Sequence, residues 1–167
     1  MNRVESIKFL YTQLGKEGLQ DLVKQGKISV LEYKEVVGED CTIDLETLKS
    51  ILREKVRSYK WEKAEQPFEY DGYLQCNTAN DRSMMDICLK NFSMGVLPTI
   101  EWKLPDETYR IVDSADYFVE MLKASTYQIQ KAFGVEGVIV NQINELTEET
   151  VKEYDYRTNF DNLFDAQ

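Results

Sequence analysis

The chain has 167 residues, of which 43% are hydrophobic and 30% are charged, so it can bury a core and does not have the composition of a membrane domain. No apolar run approaches the roughly 20 residues that span a bilayer, and the N-terminal residues lack the apolar segment of a secretory signal. The formal net charge of −10 repels nucleic acid and anionic membrane, so neither is expected as a partner.

The negative charge is concentrated after residue 63. Residues 1–63 contain 12 Lys/Arg and 11 Asp/Glu, whereas residues 64–167 contain 8 and 19. A solvated acidic face explains this pattern, and a surface for a basic partner is the alternative.

Three short helices are predicted before residue 41. Apolar residues at helical spacing run over residues 4–14, and Gly15 interrupts that run. A second helix ends at Gly26, and the Ser29–Glu32 pair predicts a capping box at the start of a third. Helices of this size cannot bury a core alone, so they require the rest of the chain or a partner.

An amphipathic helix and a β-hairpin are predicted next. Asp44 is the expected N-cap of a helix that extends to about residue 63, with one apolar stripe. Two short strands, 68–70 and 73–76, flank Asp71-Gly72, a dipeptide that favours a type I′ turn.

The remaining elements are a helix, a second hairpin and a long helix. The helix is predicted to be capped near Asn80, and the strands cover residues 99–103 and 108–112. A long helix capped by Asp113 or Ser114 is expected to run to about Asn144, and a helical turn is expected from Thr147. The faces predicted to point inward comprise Met84, Met85, Cys88, Leu89 and Phe92 on the first helix, and Phe118, Leu122, Ile129 and Phe133 on the second.

These elements predict an α+β, mostly helical fold. Residues 1–41 form a helical appendage, and residues 42–155 form a domain in which about three helices cover two β-hairpins, either separate or joined in one four-stranded antiparallel sheet. Residues 156–167 form an acidic tail whose large apolar residues suggest docking.

The sequence offers little catalytic chemistry. Without any histidine, it has no Ser-His-Asp or Cys-His site and no common zinc site, and the nucleotide-binding motifs are absent as well. We therefore expect no enzyme activity, no cofactor and no metal. A carboxylate pair acting as a glycosidase is the weakest alternative.

Capping explains the cluster Asn77, Asn80, Asp81 and Asp86 better than a calcium loop does. Three unevenly spaced cysteines, Cys41, Cys76 and Cys88, predict free thiols that are buried or half-buried.

Residues 7–41 resemble the short XkdX-type proteins of tailed phages and defective prophages. That family usually has a tryptophan near its start, where this chain has Phe9 or Tyr11. The residues that carry the resemblance are Val23, Gly26, Lys27, Ile28, Glu32, Tyr33, Val37, Gly38 and Glu39.

Residues 47–150 resemble a phage domain of unknown function that occurs in tail-fibre-associated proteins. The family often has a histidine in its long helix, which this chain lacks. The matching residues are Phe68–Tyr70, Gly72, Asp81–Ser83, Ile100, Trp102, Asp106 and the helix after Ser114. Neither resemblance supplies a catalytic residue.

Together the resemblances imply a non-enzymatic bacteriophage protein of the tail or baseplate that attaches or steadies the tail fibre. It would be made in the host cytoplasm, located in the virion tail, and bound to other tail, baseplate or fibre proteins, with a homo-oligomer left open. A tail-fibre assembly chaperone absent from virions is the alternative, and a carbohydrate-binding receptor module is a weaker one. The residues expected to contact partners are Phe9, Leu10, Leu14, Leu22, Val23, Phe160, Leu163 and Phe164.

The N-terminal helices should not fold by themselves. A peptide of residues 1–40 should show little helical circular dichroism in water, because its helices are short and its apolar stripe has nothing to pack against. A cooperative thermal melt of this peptide would contradict the expectation.

Overall fold

The structure is a computed structural model that describes residues 2–166. Its elements in chain order are α1 (Arg3–Lys24), α2 (Val30–Val37), α3 (Leu45–Ala64), β1 (Phe68–Tyr70), β2 (Tyr73–Gln75), α4 (Ala79–Ser93), β3 (Ile100–Lys103), β4 (Tyr109–Val112), α5 (Ala115–Glu145) and α6 (Tyr156–Asp165). The predicted α+β, mostly helical fold is confirmed. The described strands form two separate antiparallel pairs, not one four-stranded sheet.

The chain divides into two compact units. The first unit comprises residues 2–58 and 136–165, and the second comprises residues 59–135. Helices α3 and α5 contribute residues to both units. The predicted division into segments 1–41, 42–155 and 156–167 stays a prediction.

In the first unit, local sequence signals set the helix ends. Helix α1 is interrupted as predicted at Gly15, whose φ of 68° lies in the left-handed region that glycine tolerates. The predicted capping box of Ser29 and Glu32 begins α2, and Gly38, in the left-handed region, ends it. Asp44 accepts a hydrogen bond from the amide of Thr47 at the start of α3, as expected of an N-cap.

The core of the first unit joins distant parts of the sequence. Its buried members are Ile7, Leu19, Val23, Ile28, Val30, Tyr33, Cys41, Leu48 and Val151. The buried Lys49 places its Nζ 2.8 Å from the carbonyl oxygen of Asn144, and Arg53 donates to the side chain of the same asparagine. Helices α1 and α2 therefore pack against apolar residues that lie after residue 41.

In the second unit, both predicted hairpins are confirmed. Asp71 and Gly72 both have positive φ values, 53° and 76°, as a type I′ turn requires. The core beneath the hairpins consists of Phe68, Met85, Cys88, Val112, Phe118 and Met121. Rings pack edge-to-face within this unit, with the centroids of Trp102 and Phe118 5.3 Å apart.

Two details of the predicted helices were wrong. The N-cap of α4 is Thr78, two residues before the expected Asn80, and its hydroxyl forms a capping box with Asp81. Met84 is exposed, because the inward face of α4 is centred on Met85 and Cys88.

On α5, the predicted continuation to about Asn144 is correct, since the helix ends at Glu145. Its buried face was predicted only in part, because Phe133 is 40% exposed. The residues that α5 buries fully are Phe118, Met121, Ser125, Ala132, Val135, Ile139 and Ile143. The expected capped turn of helix from Thr147 is present as a single turn, in which Val151 N donates to Thr147 O at 2.9 Å and the Thr147 hydroxyl accepts from Thr150 N. No helix within residues 2–166 combines the length and the apolar character needed to cross a bilayer.

Glu32 links α1 to α2 and should make stability depend on pH. Burial alone would raise the pKa of Glu32, but hydrogen bonds from Arg3 and Ser29 outweigh burial and lower it. A carboxylate whose pKa is lower in the folded state stabilises the fold above its unfolded pKa of about 4.3, and this contribution is lost as the pH falls through the folded pKa.

The Glu32→Gln variant keeps a cap acceptor but loses the charge. At pH 7 it should be less stable than the parent by about 0.5–1 kcal/mol, and the difference should be smaller at pH 3, below the unfolded pKa, because Glu32 becomes protonated as the pH falls. Urea denaturation at both pH values measures this, with Glu35→Gln on the exposed face of α2 as the control. An equal deficit at the two pH values would contradict the role of the charge.

Candidate protein-binding site

The structure separates the predicted partner-binding residues. Phe9 and Leu14 are exposed on α1. Leu10 is partly buried, and Leu22 packs against the core of the first unit. These residues therefore do not form one continuous exposed stripe.

Three predicted contact residues serve the fold of the chain itself. Val23 belongs to the first core, and Phe160 and Phe164 are buried on α6 with their rings stacked at 6.3 Å. Leu163, which directly precedes Phe164, is partly buried. The acidic tail is thus a helix whose apolar face is covered within the chain, so these residues are not available to a partner in this conformation.

A group of exposed apolar residues on α4 and in the segment directly after it was not predicted. We call it the α4 surface, and it consists of Met84, Ile87, Met94, Val96 and Leu97, each at least 44% exposed. Met84, Ile87 and Met94 are spaced i, i+3 and i+10, which places them on one side of the helix. The sequence signal for it was that the apolar residues of α4 cover more of the helix than one inward face, with Met84 and Ile87 beside the buried Met85 and Cys88.

A cleft of about 600 Å³ lies within the second unit beside strand β3. Met84 and Cys88 of α4 form one wall, and the run Ile100–Lys103 forms another. Gln75 and Cys76 line it where β2 ends. Because consecutive strand residues point to alternate faces, a cleft lined by the whole run lies along the edge of the strand.

The hairpin register defines which backbone groups of β3 face this edge. Leu104 N donates to Thr108 O at 2.8 Å, so this is a hydrogen-bonded pair. Such pairs alternate along an antiparallel ladder, so Glu101 and Lys103 belong to the intervening pairs, opposite Ile111 and Tyr109. Their N–H and C=O groups therefore point away from β4, and no main-chain group in residues 2–166 bonds to them.

The cleft also contains an unsatisfied buried amide. Trp102 Nε1 donates to Gln75 Oε1 at 3.0 Å, which leaves Gln75 Nε2 as a donor without a partner within residues 2–166. Gln75 is 1% exposed. The hydrogen bond that Lys103 donates to the Glu107 carboxylate raises the pKa of Lys103 at the cleft rim, and burial raises the pKa of the Cys88 thiol.

The opposite edge of this hairpin, along β4, makes more contacts with the rest of the second unit. The hollow beside β4 has about 290 Å³, and Arg110 reaches from it to Asp71 in the first hairpin at 2.5 Å. The Arg110 guanidinium also lies over the rings of Tyr73 and Tyr117. This cation therefore joins the two hairpins on the β4 side, whereas the β3 side stays open.

Three of the four residues considered as a calcium loop bond to other groups of the chain. Asn77 bonds to Ala64 and Ser125, Asp81 caps α4, and Asp86 pairs with Lys90. Across residues 2–166, no group of three or more His, Cys, Asp or Glu side chains is placed to hold a metal ion.

Comparisons with protein-family models, with curated proteins and with solved structures found no match to this chain.

The turn at the end of the cleft holds a strained residue. Glu107 follows Leu104-Pro105-Asp106 and has φ 68°, a left-handed conformation that glycine adopts without steric cost. The Glu107→Gly variant should therefore be more stable than Glu107→Ala by about 1 kcal/mol in urea denaturation, since both lose the Lys103 ion pair but only alanine keeps the clash. Equal stability of the two variants would refute this strain.

Proposed function

We propose that this chain is a non-enzymatic bacteriophage tail or baseplate protein that attaches or steadies the tail fibre through protein–protein contacts. The α4 surface is the structural observation that carries the binding role. The tail location rests on the resemblance of residues 7–41 and 47–150 to phage families.

The α4 surface supports a protein partner for a physical reason. Exposed apolar side chains grouped on one helix face mark interaction sites on soluble domains, and burial of each large side chain contributes about 1.5–3 kcal/mol. Met94 is 68% exposed and Ile87 is 48% exposed, so Met94 has most of its area still to bury and Ile87 has nearly half. Phe9 and Leu14 on α1 are the members of the sequence-predicted stripe that remain available for a second contact.

A fibre-assembly chaperone is the second candidate. It is favoured by the same exposed apolar residues together with the net charge of −10, which suits transient binding of a basic, aggregation-prone fibre segment. The two candidates differ in whether the chain stays in the finished particle.

A sugar-binding role has less support. Trp61 and Phe133 are partly exposed and pair edge-to-face, with their ring centroids 5.4 Å apart. Lys60 Nζ lies 3.9 Å from the Phe133 centroid, so a cation already occupies a face of that ring. Sugar platforms use open ring faces, and at Phe133 this cation covers one of the two.

Mass spectrometry of purified phage particles tests the proposal. We expect peptides of this chain in stoichiometric amounts beside tail proteins. Absence from particles, with the chain abundant in infected cells, would replace the structural role by the chaperone role.

The α4 surface can be tested in the same particles. The double variant Ile87→Asn/Met94→Asn should lower incorporation by about tenfold or more, because it removes two anchors from the surface. The control Leu31→Asn/Leu74→Asn changes two apolar residues that are equally exposed elsewhere and should be incorporated normally. Normal incorporation of the Ile87/Met94 variant would remove the α4 surface from the proposal.

A further inference from the structure

The outer edge of β3 has backbone N–H and C=O groups that are available to pair with another strand. Glu101 and Lys103 direct their N–H and C=O groups away from β4, and a cleft of about 600 Å³ leaves space beside them. An open edge of this kind is where a further strand adds to a sheet. The question is which strand fits it.

The alternation of hydrogen-bonded and non-hydrogen-bonded pairs along β3 limits the registers that a further strand can adopt. A strand that pairs with β3 must form hydrogen-bonded pairs at Glu101 and Lys103, because only these residues face the open edge. If β3 pairs antiparallel with β3 of a second copy, a two-fold axis relates the two strands. Three positions of this axis within β3 satisfy the condition, at Glu101, Trp102 or Lys103.

Charge distinguishes these three registers. A centre at Glu101 places two glutamates opposite each other, and a centre at Lys103 places two lysines opposite each other, which is unfavourable. A centre at Trp102 places Glu101 opposite Lys103 of the second copy, twice by symmetry. This register satisfies the outward backbone groups and pairs opposite charges at the same time.

We propose that two copies of this chain pair through their β3 strands, antiparallel and centred on Trp102. The two hairpins then form one four-stranded sheet in the order β4, β3, β3, β4. The contact is isologous, the usual symmetry of homodimers. It does not depend on the phage role proposed above.

Competing interactions at this edge are weak. Lys103 bonds to Glu107 at 2.8 Å, but the Glu107 side chain is 81% exposed, and such exposed pairs contribute little. The net charge of −10 on each copy opposes association, and at about 0.15 M salt this repulsion is screened beyond about 8 Å. The two charged pairs lie at the contact itself, where screening is smaller.

Sedimentation equilibrium of the full chain in 0.15 M salt provides the first test. The measured mass should rise with concentration from the 19.5 kDa of one chain to twice that value. A mass that stays at one chain up to about 0.5 mM, the range of weak complexes, would overturn the proposal and leave the edge to a strand of another protein.

Charge exchange tests the register. Glu101→Lys and Lys103→Glu, each alone, should weaken the dimer by about tenfold or more, because each replaces both attractive pairs by repulsive ones. The first change makes the chain less negative and the second makes it more negative, so weakening by both separates the local contact from overall repulsion. Glu62→Lys on the exposed side of α3 is the control for net charge.

Two rescues make this test specific. The double variant Glu101→Lys/Lys103→Glu should regain the dimer, and a mixture of the two single variants should form a heterodimer, since lysines on one chain then face glutamates on the other. Failure of both rescues would refute the Trp102-centred register.

Proline tests the backbone contacts separately. Glu101→Pro removes an outward N–H from the β3 edge, whereas Ile111→Pro removes the equivalent group from the β4 edge opposite it. Only the first should abolish the dimer, with circular dichroism confirming that both variants fold. Equal loss in both folded variants would contradict pairing at β3, and the charge-exchange series decides the matter if either proline variant is unfolded.

Discussion

The second unit depends on one buried side chain, Asn77. Its Nδ2 donates to the Ala64 carbonyl at 2.7 Å at the end of α3, and its Oδ1 accepts from Ser125 Oγ at 2.5 Å on α5. Its own carbonyl accepts from Arg82 on α4. A buried amide without partners costs about 1–3 kcal/mol, so a shift of these three helices that broke the Asn77 contacts would be penalised by about that amount. The position of each helix in this unit is therefore tied to the others through polar geometry as well as apolar packing.

This arrangement also determines how the cleft is built. Gln75 lies two residues before Asn77, and its buried side chain accepts from Trp102, which fixes the inner face of β3 relative to β2. Arg110 and Asp71 join the hairpins on the other side. The second hairpin is thus held on its inner face and at its β4 edge, while its β3 edge has no such contact. The accessibility of that edge follows from where the hairpin is held.

Local signals made much of the fold predictable from the sequence. The Ser29–Glu32 capping box, Gly15 and the Asp71-Gly72 turn each act within a few residues, and each is found where it was predicted. The start of α4 was misplaced because Thr78 and Asp81 also form a capping box, which was overlooked in favour of Asn80. Burial was less predictable, since it depends on partners distant in sequence: Lys49 is buried because Asn144 supplies a carbonyl, and Met84 is exposed because the apolar residues of α4 cover more of the helix than one inward face. The α4 surface was missed for the same reason, and the outward groups of β3 required knowledge of the register.

The cysteines of this chain differ in accessibility in a way that has a practical consequence. Cys41 and Cys88 are buried, and burial raises the pKa of both thiols, which suppresses the reactive thiolate. Cys76, which the sequence predicted to be buried or half-buried, is instead exposed and lines the cleft beside β3. A maleimide dye or nitroxide added to the folded native chain should therefore attach at Cys76 first. The natural sequence thus carries its own attachment point for a spectroscopic reporter at the rim of the cleft, with no engineered residue required.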